Sequence, residues 1–139
     1  MRRAMGSLST GTYLIIGSMN KQDHLPRVER EDTGHKLLST KNKQDENIEW
    51  HCESLGHNLV RIRNKKSGTA YRPLTFSEGA LLDQECGPTV YKVEETETRG
   101  EYVSSLAENP AWYINPLEYG CGFKVSKEKA HWSFFQVEE

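Results

Sequence analysis

The sequence has no membrane-spanning stretch, no excess of one charge, no paired cysteine framework and no catalytic signature. No apolar run approaches the ~20 residues that a membrane helix requires. Eighteen basic residues stand against 20 acidic ones, for a net charge of −2, so there is no electrostatic reason to expect nucleic acid or an anionic membrane as partner. The three cysteines, Cys52, Cys86 and Cys121, are odd in number and widely spaced. No apolar stretch follows Arg2-Arg3 to act as a secretory signal. The simplest reading is free thiols in a reducing cytoplasm. A glycine-rich phosphate loop, Gly-x-Ser-x-Gly and HExxH are all missing. The histidines, His24, His35, His51, His57 and His131, are scattered. His51 and Cys52 are neighbours on one expected strand, and alternation sends their side chains to opposite faces. Cys52 and His57 do not by themselves make a tetrahedral site. We therefore expect no catalytic residue, no metal and no cofactor.

What the chain does have is internal repetition. Ile48-Glu49-Trp50-His51-Cys52, Thr89-Val90-Tyr91-Lys92-Val93 and Ala130-His131-Trp132-Ser133-Phe134 share an aromatic centre at 50, 91 and 132, two intervals of 41. A second rhyme interleaves with it: Gly11-Thr12-Tyr13-Leu14-Ile15, Asn58-Leu59-Val60-Arg61-Ile62 and Gly100-Glu101-Tyr102-Val103-Ser104, spaced by 47 and then 42. A period in this range marks a repeat architecture in which one unit cannot bury its own apolar face. The strand-like runs are short, β-branched or aromatic, and separated by polar turn clusters. They fall at Thr12–Gly17, His24–Val28, Lys36–Ser39 and Ile48–Glu53; then Leu59–Arg63, Thr69–Arg72, Ala80–Asp83 and Thr89–Glu94; then Tyr102–Leu106, Trp112–Ile114, Gly122–Val125 and Trp132–Val137. Ser39 to Asn47 reads as a polar loop. Twelve strands in three units predict an all-β fold, a β-trefoil: a six-stranded barrel capped by three hairpins. Trp50, Tyr91 and Trp132 are then equivalent core positions, with Tyr13, Val60 and Tyr102 in the matching layer. Residues 1–7 read as a disordered expression leader, and the single domain is expected over 8–139. Cys52 should be buried and inert, Cys86 more exposed.

Two constellations stand out beyond the core. Trp112 and Tyr113 offer aromatic faces on which a sugar could stack, although the Gln-x-Trp signature of ricin-type trefoil lectins occurs nowhere. The segment Leu25 to Lys36 places Arg27 and Arg30 among Pro26, Val28, Glu29 and Glu31, in what we expect to be an exposed loop between two strands. The plainer reading is a charged surface loop whose ion pairs contribute ~0–1 kcal/mol each. The sharper one is an inhibitory loop, because a protease of trypsin specificity accepts one long cation in a pocket with a buried carboxylate.

Several stretches bear on that choice. Ser7-Leu8-Ser9-Thr10-Gly11-Thr12-Tyr13-Leu14-Ile15-Ile16-Gly17 resembles the opening of the cospin-like mushroom β-trefoil serine protease inhibitors. Arg27 to Leu38, with Glu31-Asp32 and Lys36-Leu37-Leu38, is similar to that family's first-hairpin region. Ser77-Glu78-Gly79-Ala80-Leu81-Leu82 resembles its Asp-Gly-Leu-Leu-type turn, and Ala111-Trp112-Tyr113-Ile114-Asn115-Pro116 its Gly-Trp-Val-x-Pro segment. The resemblance runs over most of the chain. It implies a cytoplasmic fungal defence protein without cofactor, whose trypsin-inhibiting members insert a basic residue from the loop joining the second and third strands. Here that loop holds Arg30, the first choice for the inserted residue, and Arg27, the second. The expected partner is a protein, a serine protease first, with the chain itself a monomer or weak dimer. The alternatives are a carbohydrate-binding trefoil and a trefoil whose loops bind some other protein.

Overall fold

The computed structural model describes residues 8–137, and the expectation for residues 1–7 lies outside them. Among the described residues are twelve strands and no helix. They are β1 (Gly11–Met19), β2 (Gln22–Glu31), β3 (Gly34–Thr40), β4 (Glu49–Gly56), β5 (Leu59–Asn64), β6 (Ala70–Arg72), β7 (Gln84–Cys86), β8 (Thr89–Glu95), β9 (Tyr102–Leu106), β10 (Tyr113–Pro116), β11 (Phe123–Ser126) and β12 (Trp132–Gln136). Antiparallel pairing runs β1–β4–β5–β8–β9–β12 and returns to β1, closing a six-stranded barrel. The other six strands form three hairpins, β2–β3, β6–β7 and β10–β11. This is the trefoil arrangement that the repeats predict. Closure removes the open sheet edges that a barrel of short strands would otherwise expose.

The two sequence rhymes meet in register. Tyr13 lies opposite Trp50, Val60 opposite Tyr91 and Tyr102 opposite Trp132, and all six are buried. Each central aromatic also reaches out of the barrel into a hairpin. The Trp50 indole N–H donates to the Pro26 carbonyl at 3.0 Å, the Tyr91 hydroxyl to the Tyr71 carbonyl at 2.8 Å, and the Trp132 indole N–H to the Ile114 carbonyl at 3.0 Å. Leu37 on β3, Leu82 in the connection before β7 and Phe123 on β11 are all buried in the same core. The two-residue turns β1–β2 and β4–β5 carry positive φ at both central residues, Asn20-Lys21 and His57-Asn58, the turn geometry that matches the twist of paired strands.

Two strand assignments need correction. Ala80–Asp83 is not the second arm of the middle hairpin, which is Gln84–Cys86. Residues 79–82 dock on β11 instead: Gly79 N–H donates to Val125 O, Val125 N–H to Ala80 O and Leu82 N–H to Phe123 O, at 2.8–2.9 Å. Alternation in the sequence could not separate pairing within a hairpin from pairing between hairpins. The segment after Val28 is not a loop either, because β2 and β3 pair without interruption from Leu25↔Thr40 to Glu31↔Gly34. Only Asp32 and Thr33 remain as a turn. The first hairpin is the most extensively paired of the three, with seven registered pairs against three and four in the others, while the long first interval falls mainly in the 41–48 connection that follows it.

The core layer also breaks symmetry at one point. Ile15 and Ile62, two residues after Tyr13 and Val60, match Ser104 in the third repeat, and all three line an apolar cavity of about 60 Å³ on the barrel axis. The smaller side chain leaves space that the two isoleucines fill elsewhere. Filling such a void recovers transfer and packing energy. Ser104→Val should therefore stabilise the protein by about 1 kcal/mol, read as a higher urea midpoint at unchanged slope; a lower midpoint would contradict the assignment.

Candidate functional site

The predicted loop residues divide once they are placed. Pro26 and Val28 are core: both are buried, and Val28 pairs with the equally buried Leu37. Beyond that pair the hairpin runs on past the core. Arg30, Glu31 and the Asp32-Thr33 turn are exposed, with Glu29 half-buried. Arg27 is not free. Its Nε donates to Asp45 at 2.7 Å and its Nη1 to Glu29 at 3.4 Å, with the guanidinium side chain only 26% exposed. Burial disfavours its charge, yet the hydrogen bonds and charges of Asp45 and Glu29 outweigh that and raise its pKa. Asp45 is itself fixed, accepting from the Asn47 N–H at 2.8 Å. Arg27 therefore braces β2 against the 41–47 loop.

Strand parity decides what Arg30 presents. Val28 N–H donates away from β3, to the Asn47 carbonyl at 3.2 Å. His35 N–H likewise turns away from β2, to Glu85 Oε1 at 2.6 Å. Since both amide and carbonyl of a strand residue point to one side, and the side alternates, Arg30↔His35 is a wide pair without ladder hydrogen bonds. The backbone N–H and C=O of Arg30 thus face the open edge of β2, beyond the last residue that Asn47 covers. Glu29 and Glu31 turn theirs inward to β3. An exposed cation therefore sits on an extended edge with its own peptide groups available.

The tip is held from outside the hairpin. Glu85 on β7 takes the His35 N–H and lies 3.4 Å from His35 Nδ1. A side chain at Gly34, where φ is +137°, would approach Glu85 Oε1 to 3.2 Å. Glycine suits both the backbone angle and this close approach. Glu85 and Asp45 escaped the sequence reading. They act across 50 and 18 residues of chain, and nothing local in the sequence marks them.

The other constellations are less open. Trp112 packs against the core, with Lys127 Nζ 4.1 Å from its ring centroid, and Lys129 Nζ stands 5.4 Å from that of Tyr113. Cations already occupy these faces, so neither ring is a bare platform for a sugar. Cys52 is fully buried, and burial pushes its thiol up to about 12, while Cys86 is half-buried and Cys121 exposed. Among the described residues no group of three or more His, Cys, Asp or Glu side chains gathers as a metal site, and no helix is long and apolar enough to cross a membrane.

No family model matches the chain, and no significant match is found among curated proteins.

Thiolate is the reactive form of cysteine, so labelling should rank the three thiols. At pH 8 a maleimide should modify Cys121 promptly and spare Cys52 until the barrel unfolds, as resolved by peptide mass; early modification of Cys52 in native protein would contradict its placement.

Proposed function

We propose that the protein is a protein-binding trefoil that reversibly inhibits a trypsin-like serine protease, with Arg30 as the residue that enters the primary specificity pocket. The observation that carries this reading is the presentation of Arg30: an exposed guanidinium on an extended strand edge whose own N–H and C=O point outward. A protease cleft binds its substrate as an added strand and reads side chains in pockets, and this edge offers both features together.

Rigidity would turn binding into inhibition. The hairpin is tied to the barrel through Trp50, to the 41–47 loop through Arg27–Asp45, and to β7 through Glu85. Little ordering entropy is then lost on association, which is where a preordered binder gains affinity. If the Arg30–Glu31 peptide bond were cut, the Glu31↔Gly34 pairing and the turn would keep the new end beside its partner and favour religation. An interface of standard size buries ~1,600 Å² in total, and a central arginine in it can cost ~4 kcal/mol or more on truncation. Arg27 belongs to the brace in this reading and not to the contact. The resemblance to the cospin-like inhibitors supports the same conclusion and brings with it a role in fungal defence and a cytoplasmic location, with which three free thiols agree.

Titrating trypsin with the protein provides the test. Wild type should inhibit at micromolar concentration or below, Arg30→Lys should retain inhibition, and Arg30→Glu should lose it with an unchanged circular dichroism spectrum. Undiminished trypsin activity at micromolar wild type would sink the trypsin reading. Glu85→Ala should weaken inhibition by loosening the tip, without removing the cation.

A further inference from the structure

The base of the same hairpin holds a second arrangement. His24, at the start of β2, is 1% exposed. Its Nδ1 is hydrogen-bonded to Ser39 Oγ at 2.8 Å, and its ring stacks on Tyr119 with centroids 4.3 Å apart and planes at 20°. Tyr119 belongs to the loop between β10 and β11, and its hydroxyl donates to the Asp23 carbonyl at 2.8 Å. Ser39 grips that loop through its backbone as well: its carbonyl accepts from the Gly120 N–H at 2.9 Å and its N–H donates to Cys121 O. The Nε2 of His24 is buried and makes no hydrogen bond.

We propose that His24 and Tyr119 form a latch that clasps the loop between β10 and β11 to the base of the first hairpin, and that acid opens it. The clasp is built for a neutral ring. The stacked face and the hydroxyl partner accept an uncharged imidazole, whereas a charged one would bury a cation with no carboxylate in contact. The charged groups around it do not reverse this. Asp23, its neighbour on β2, is already held by Lys43 Nζ at 3.0 Å. Lys41 Nζ lies 5.9 Å from the Tyr119 ring, the exposed Glu118 is next to Tyr119 in the loop, and β1 faces His24 with the uncharged Gly17. Burial accordingly lowers the His24 pKa, against smaller opposing pulls from Asp23 and the Leu117 carbonyl.

The sign follows from linkage. With the loop lifted, His24 is solvated and takes its ordinary value near 6.5, so it binds a proton more readily in the open state. The latch has its full strength above that value and loses it as pH falls toward the lower closed-state pKa. Release would free one side of the hairpin base while leaving the barrel intact. The latch stands on its own contacts, and only its consequence for a protease rests on the reading of Arg30.

Amide exchange tests it without any protease. Between pH 7.5 and 5, after correction for intrinsic rates, protection of the Gly120 N–H should fall several-fold while that of Val93, bonded to Asn58 O within the barrel, holds. Tyr119→Ala, on the exposed side of the stack, should return the His24 titration seen by NMR toward its ordinary value. Gly120 protection that is independent of pH, protection lost equally at Val93, or a His24 titration unmoved by Tyr119→Ala would each overturn the latch.

Discussion

Three hydrogen bonds hold this architecture together: the aromatic donors of Trp50, Tyr91 and Trp132 on the carbonyls of Pro26, Tyr71 and Ile114. A barrel of six short strands and three separate hairpins need not keep a fixed relation, because a two-stranded hairpin is marginal by itself. Each aromatic supplies both parts of the bond between them. Its ring fills the core, and its single polar hydrogen satisfies a buried carbonyl that would otherwise cost about 1–3 kcal/mol. Phenylalanine could do the first and not the second, which explains why the three positions are Trp, Tyr and Trp. Burial pushes the Tyr91 phenol pKa upward, so it remains a donor.

That constraint makes the first hairpin useful. Its root is fixed at Pro26 and at the Val28↔Leu37 pair, so everything beyond projects from a fixed base. Further contacts then decide which cation is presented. Asp45 takes Arg27 out of circulation, and Glu85 steadies the turn without touching the Arg30 guanidinium. Exposed ion pairs contribute little to stability. The Arg27–Asp45 pair, with Asp45 only 17% exposed, matters here for geometry, since it fixes the face on which the next residues emerge.

The fold was legible because its determinants recur. An aromatic at a fixed period, paired with a second apolar rhyme, is visible without any knowledge of contacts, and the register Tyr13↔Trp50, Val60↔Tyr91 and Tyr102↔Trp132 is what those rhymes encode. The errors arose where one pattern permits two pairings. Ala80–Asp83 alternates as a strand should, yet its hydrogen bonds go to β11. Glu29 to Lys36 is charged enough to read as a loop, yet a hairpin that projects beyond the core has no apolar face to display. The candidate site was legible only in part for a related reason. Arg27 and Arg30 are indistinguishable as letters, and their difference lies in Asp45, 18 residues away from one of them.

Pseudo-threefold symmetry also indicates where specificity can reside. Positions that obey it are committed to packing, and substituting them disturbs the barrel before it disturbs any partner. Those that depart from it are free of that duty. Ser104 departs inward and yields only space among apolar side chains. The hairpin departs outward, through its additional pairs, and its base is tied to the loop between β10 and β11 by His24 and Ser39, a tie that the buried Thr69 and half-buried Trp112, two residues before Tyr71 and Ile114 as His24 is before Pro26, do not reproduce. Extended pairing at one end and a buried titratable ring at the other occur on the same hairpin of three. A scaffold that merely needed to fold would require neither, and this places the functional question in the first repeat.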